Sequence, residues 1–223
     1  MVTPINAYKR NIRPETTLAP ALNGFTHIKR YWDKTNNMNV AKILPGEYYV
    51  TVNHELITTV LGSCISACIR DSLFGIGGMN HFMLPANKTG DPNAWGNNGI
   101  SSATRYGNFA MEALINGILT NGGKRKNLEV KIFGGGRIIS QMTDVGANNI
   151  NFVRDYIDAE ALKLVSENVG DIYPRKVLYD PKSGKVRMRK LRSLHNDTII
   201  TRETTYSHLL EDTPIKTGEI DLF

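Results

Sequence analysis

Between Tyr48 and Leu84 the chain breaks into short apolar runs separated by glycine and aspartate turn signals. Runs this short cannot hold a stable helix, so their backbone groups must find partners in neighbouring strands. After the Pro45-Gly46 turn, Tyr48, Val50 and Val52 alternate with Tyr49 and Thr51, and residues 56–61 (LITTVL) form a second run that stops at Gly62. Residues 64–70 (CISACIR) and 75–84 (GIGGMNHFML) are joined by Asp71-Ser72-Leu73-Phe74, which reads as a hairpin.

Downstream the period changes. Tyr106, Ala110, Leu114 and Ile118 recur four residues apart, predicting a helix that Ser101 or Ser102 caps and Asn121-Gly122-Gly123 ends. Residues 128–133 (LEVKIF) predict a strand running into Gly134-Gly135-Gly136. Residues 151–168 predict a second helix with Phe152, Tyr156, Ala159 and Leu162 or Lys163 along one side. Residues 176–179 and 185–191 flank the Asp180-Pro181-Lys182-Ser183-Gly184 turn as a closing hairpin. The pattern is mixed α and β, of the α+β type, and 223 residues suit one domain with extensions. We divide the chain into an N-terminal extension over 1–40, a single domain over 41–193, and a polar C-terminal tail or interaction arm over 194–223. Residues 85–100, crowded with Pro, Gly and Asn, predict a long loop of the kind that often carries function.

Composition narrows the setting. No run approaches the roughly 20 apolar residues that cross a bilayer, and the N-terminus lacks the apolar stretch of a secretory signal, so a cytoplasmic protein with reduced cysteines and no membrane insertion is expected. The formal charge of +6, from 27 basic and 21 acidic residues, favours an acidic partner surface. Zinc-finger spacing, RNA-binding signatures and a strong helix-turn-helix pattern are all missing, which argues against nucleic acid.

The hairpin holds both cysteines and one of the five histidines. With a two-residue connection centred between Ser72 and Leu73, facing residues have numbers that total 145, and Cys64 then faces His81. Directly opposed Cβ atoms lie about 4.5–5.5 Å apart, close enough for an imidazole to take the thiol proton and later protonate a leaving amine. In the same register Gly77 and Gly78 face Cys68 and Ala67. Thr58, six residues before the cysteine, has a hydroxyl able to orient the other ring nitrogen, with Thr59 as its local rival. Cys68 reads as core, since four residues along a strand span about 13 Å, too far for a disulfide or for a shared zinc. No metal is expected. The glycine triplet, with no Gly-Lys-Ser/Thr after it, reads as a tight turn beside the site rather than a phosphate loop.

The segments LPGEYYVT, TTVLGSC, GIGGMNHFMLP, TRYGNFAMEALIN, EVKIFGGG, VGANN and PRKVLYDPKSGKV together resemble the chemoreceptor glutamine deamidase family, the CheD proteins of bacterial chemotaxis, over about residues 40–193. The resemblance implies a three-layer α/β/β fold and a Cys-His-Thr triad at Cys64, His81 and Thr58, with no cofactor. It implies hydrolysis, through a thioester, of glutamine side chains on the cytoplasmic helical domain of methyl-accepting chemoreceptors, giving glutamate and ammonia. In that reading backbone N–H groups near Ser63 and Cys64 stabilise the oxyanion. Arg187 and Arg189, in a basic cluster with Lys185, Lys190 and Arg192, would meet the receptor surface, although a solvated strand edge is the plainer reading. The resemblance also implies association with a CheC-type response-regulator phosphatase, so a binding module that stimulates such a phosphatase is one alternative. A thiol esterase acting on receptor methyl esters is another, because the triad alone does not choose among acyl substrates.

Overall fold

A computed structural model describes residues 18–85, 102–138, 145–192 and 197–212. The predicted Ser101 cap and all of the predicted 85–100 loop except Pro85 lie outside them. One five-stranded sheet has the order β1 (Lys29–Asp33), β2 (Met38–Lys42), β4 (Leu56–Leu61), β9 (Arg175–Asp180), β10 (Lys185–Lys190). The other runs β3 (Tyr48–Thr51), β6 (Gly77–Asn80), β5 (Ile65–Asp71), β7 (Leu128–Gly134), β8 (Lys163–Val169). Helix α1 (Ser102–Thr120) packs on β3, β6 and β5, and α2 (Val145–Ala159) packs on β5 and β8. The two sheets meet through β7 and β9, so the layers are helices, sheet, sheet in one α+β domain.

The faces of β5 show how the layers are specified. On one side Asn80, bonded to the Ala67 N–H, also donates to the Ala110 carbonyl of α1. On the other side Arg70 donates to the Lys182 carbonyl in the β9–β10 turn. Ile65, Ala67 and Ile69 therefore face the helices, while Ser66, Cys68 and Arg70 face the first sheet. All but Arg70 are buried, and each buried Ile contributes about 1.5–3 kcal/mol. No described helix is long and apolar enough to cross a membrane.

Several expectations change. Residues 29–40, placed in the N-terminal extension, form β1 and part of β2, and Arg30 of β1 pairs at 2.8 Å with buried Glu55, whose other oxygen accepts from the Tyr49 and Thr51 hydroxyls. The helix expected over 151–168 begins at Val145 and ends at Ala159. Ala161 takes φ 50°, the Leu162 N–H returns to the Ile157 carbonyl, and the chain enters β8, a parallel edge strand on β7. No glycine marks that left-handed turn, and the demand of β7 for a partner outweighs the helical spacing. Within the polar tail, α3 (Asp197–Asp212) is a helix.

The hairpin register also differs. Cys68 faces Met79, Ile69 faces Gly78, and Ile65 bridges Phe82, so facing numbers total 147. Asp71 is the cause: its Oδ1 accepts the Leu73 and Phe74 N–H groups and its carbonyl accepts from Gly75 at φ 69°, which makes the connection four residues long. Gly77 and Gly78 thus face Arg70 and Ile69 instead of Cys68 and Ala67.

Candidate active site

A register shift of two, unlike a shift of one, keeps every side chain on its own face. Cys64, just before β5, and His81, just after β6, therefore still point the same way, now across a diagonal. Both are buried, and the Cys64 thiol, a His81 ring nitrogen and a Glu203 carboxylate oxygen all lie within 4.8 Å of one another.

Thr59 holds the imidazole. Its Oγ1 lies 2.7 Å from His81 Nδ1 and donates its own proton to the Ile43 carbonyl at 2.9 Å. A hydroxyl has one proton, so toward the ring it can only accept; Nδ1 then carries hydrogen and Nε2 keeps its lone pair. Nε2 is buried with no partner of its own, which leaves it free to serve the thiol. The expected role of Thr58 is corrected here. Adjacent strand residues face opposite ways, and Thr58 turns from the ring to donate to the Val177 carbonyl at 2.7 Å. Thr59→Val is expected to lower turnover about 10- to 100-fold, the loss of one buried hydrogen bond to a group that becomes charged, while Thr58→Val stays within about threefold. Steady-state rates on one substrate check the pair.

The backbone of residues 62–64 is fixed at every carbonyl. Gly136 donates to Gly62 at 2.7 Å, Asn149 Nδ2 to Ser63 at 2.9 Å, and Gly135 to Cys64 at 2.8 Å. The three N–H groups consequently converge on the opposite side, where they meet a carboxylate. Glu203 Oε1 accepts from Gly62 at 2.8 Å and Cys64 at 3.3 Å, and Oε2 accepts from the Ser63 N–H at 2.7 Å and its hydroxyl at 2.6 Å. Such a nest of N–H groups stabilises negative oxygen. The glycine triplet borders this turn.

Burial, then the adjacent Glu203 carboxylate, pushes the Cys64 thiol well up, and burial pulls His81 down to about 3. In this state the pair is neutral. An unfolded chain protonates His81 near pH 6.5, whereas the folded chain resists until about pH 3. The unfolded state therefore binds more protons in that window, and the contribution of this group to stability falls by about 1.4 kcal/mol per pH unit as pH drops through it. Urea midpoints between pH 7 and 4 are expected to slope less steeply in His81→Gln.

Cys64, His81 and Glu203 are the described residues grouped closely enough to hold a metal ion. The Glu203 oxygens, however, already take four hydrogen bonds, so its lone pairs are committed to the turn. Cys68 is a free thiol in the core, its pKa raised by burial. Arg187 and Arg189 are exposed on edge strand β10. Arg187 faces Leu178, which faces Thr58, so this pair lies on the face of the sheet turned from His81.

Sequence reasoning ranked Thr59 second and missed two residues. Asn149 sits in the quoted VGANN segment without being singled out; its amide, which also accepts the Leu84 N–H at 2.8 Å, ties the Cys64 turn to the chain after His81. Glu203 stands in a Thr-rich stretch where only the spacing of Ile199, Tyr206 and Leu210 around it hinted at a helix.

A family model described as CheD chemotactic sensory transduction matches residues 83–190. A protein of Halorhodospira halophila named "Probable chemoreceptor glutamine deamidase CheD" is 53% identical over 207 residues, 93% of this chain and 95% of that protein. The chain belongs to the CheD family. CheD proteins of the same name from Hahella chejuensis and Hydrogenovibrio crunogenus are 54% and 51% identical over 199 and 191 residues, covering 89% and 86% of this chain and 92% and 97% of theirs. The Halorhodospira CheD match is long enough that it must take in residues 64–81, so it includes the paired cysteine and histidine that the shorter family match leaves out.

Proposed function

We propose that this chain is a protein-glutamine deamidase that converts glutamine side chains on the cytoplasmic helices of chemoreceptors to glutamate. The observation that carries the reading is the convergence of the Gly62, Ser63 and Cys64 N–H groups on a carboxyl-sized site beside a buried thiol and imidazole. A binding module has no use for that arrangement, and the names of the relatives supply the substrate class.

In the reaction His81 Nε2 takes the Cys64 proton as sulfur attacks the carboxamide carbon. The oxygen, now negative, is held by the N–H turn. Imidazolium His81 then protonates the departing nitrogen, and ammonia leaves a thioester. Water, giving its proton to His81, attacks the thioester; the C–S bond breaks, and the proton returns to sulfur as glutamate departs. Thr59 keeps the ring in the tautomer that both halves require.

The test is peptide mapping by mass spectrometry of a receptor cytoplasmic fragment incubated with the full chain. Conversion of glutamine to glutamate at discrete sites, with ammonia released in equal amount, is expected. Methanol released from a methylated receptor with its amides intact would identify an esterase instead, and the absence of both products would overturn the proposal.

A further inference from the structure

The carboxylate in the N–H turn belongs to the chain itself. Ile199 and Ser207 lie one helical turn either side of Glu203 on α3, and all three are buried. Tyr206 and Leu210 extend that face onto the core, where the Tyr206 hydroxyl bonds to that of Tyr106 on α1. Its ring lies over Gly46, a position at which a Cβ would come within 3.0 Å. Beside the turn, a cavity lined by Ile43, Pro45, Thr59 and His81 is closed on its α3 side by Ile199 and Glu203.

We propose that α3 occupies the groove that receives the substrate helix, with Glu203 in the position of the glutamate that the reaction produces, so that the enzyme is held by an internal product analogue until a receptor helix displaces it. The proposal rests on the deamidase reading above. Glu203 reproduces the product in three respects: it is a glutamate, it projects from a helix, and its oxygens sit on the N–H groups that would hold the reacting oxygen. Burying a carboxylate is costly unless its lone pairs are filled. Here four donors fill them, all from residues 62–64 that also carry the nucleophile. Burial under α3, and then the charge of this carboxylate, favour the protonated thiol, so the docked state is chemically silent as well as blocked.

The docked helix also describes what the groove accepts. A target glutamine fits α3's pattern when an aliphatic residue precedes it by four positions, a small hydroxyl residue follows by four, and a second aliphatic residue follows by seven, as Ile199, Ser207 and Leu210 stand around Glu203.

Glu203→Gln tests the idea with almost no change of shape, since it puts the carboxamide of the substrate where the carboxylate of the product lies. In the otherwise wild-type chain the introduced side chain is expected to be hydrolysed with water to the acid and ammonia. Mass spectrometry of the peptide covering position 203 should then read an acid, while the Glu203→Gln/Cys64→Ala double variant should retain the amide. An amide in both, with receptor glutamines still converted by the wild-type chain, overturns this proposal and leaves the deamidase reading standing. Failure of the wild-type chain on receptor, with the amide intact in both variants, overturns the two together. Glu203→Ala gives a second readout. Iodoacetamide labelling of Cys64 and the initial rate of receptor conversion should each rise about tenfold or more, with labelling extending to lower pH because the neighbouring negative charge is gone. Rates equal to wild type would mark α3 as a fixed cap and overturn its role as a displaceable one.

Discussion

Cys64→Ala is expected to abolish receptor conversion, by about 10⁴-fold or more, while the protein remains folded. In the proposed mechanism this removes the nucleophile and leaves only the N–H turn and substrate positioning, which together retain a small residue of the original acceleration. The fold should tolerate the change, because a buried thiol behaves as a small hydrophobe. The control is Cys68→Ala. That thiol is equally buried and lies four residues along the same face, yet it touches nothing in the reaction, so its loss should cost stability and not rate. Rates with ammonia detection, set beside melting curves for both variants, separate the two cases. A Cys64→Ala protein that still converts glutamine would remove the thiol from the mechanism.

Gly134→Ala should be the most damaging single methyl group in the domain. Gly134 has φ 114°, and a Cβ there would lie 2.1 Å from the Cys64 carbonyl oxygen. The strained backbone costs about 1–3 kcal/mol and the overlap a similar amount, so the sum is about 2–6 kcal/mol. For a chain of this size each kcal/mol lowers Tm by about 2–4 °C, giving a fall of about 4–24 °C by calorimetry. Activity should suffer more than stability, because relief of the overlap pushes the Cys64 carbonyl off the Gly135 N–H and turns the cysteine backbone with it. Gly170→Ala is the matched control: φ is 75° but a Cβ meets nothing within 4 Å, so only the conformational term remains.

What could be read in the sequence was what local periodicity and turn chemistry decide. The long run of α1, the β9–β10 hairpin around Pro181 and Gly184, and the presence of Cys64 and His81 on one face all follow from patterns within a few residues. The register was off by two because Asp71 organises a four-residue turn through its carboxylate, a choice invisible until the side chain is placed. The meeting of thiol and imidazole survived that difference through parity alone. Spacing put Thr58 ahead of Thr59, the wrong way round, since which face of β4 turns inward depends on a partner strand more than a hundred residues away. Strand β8 was mistaken for helix for a related reason: a parallel edge strand is chosen by its partner, and its own residues alternate only weakly. Glu203 was out of reach because its meaning lies in donors some 140 residues earlier.

The three carbonyls behind Gly62, Ser63 and Cys64 are gripped by Gly136, Asn149 and Gly135, parts of the chain synthesised long after the cysteine. A nascent or half-assembled protein therefore carries an ordinary thiol on a slack loop, with no aligned N–H groups beside it. The ribosome can release this sequence residue by residue without exposing a working amidase, and hydrolytic power arrives only when both sheets and α2 have closed around the turn.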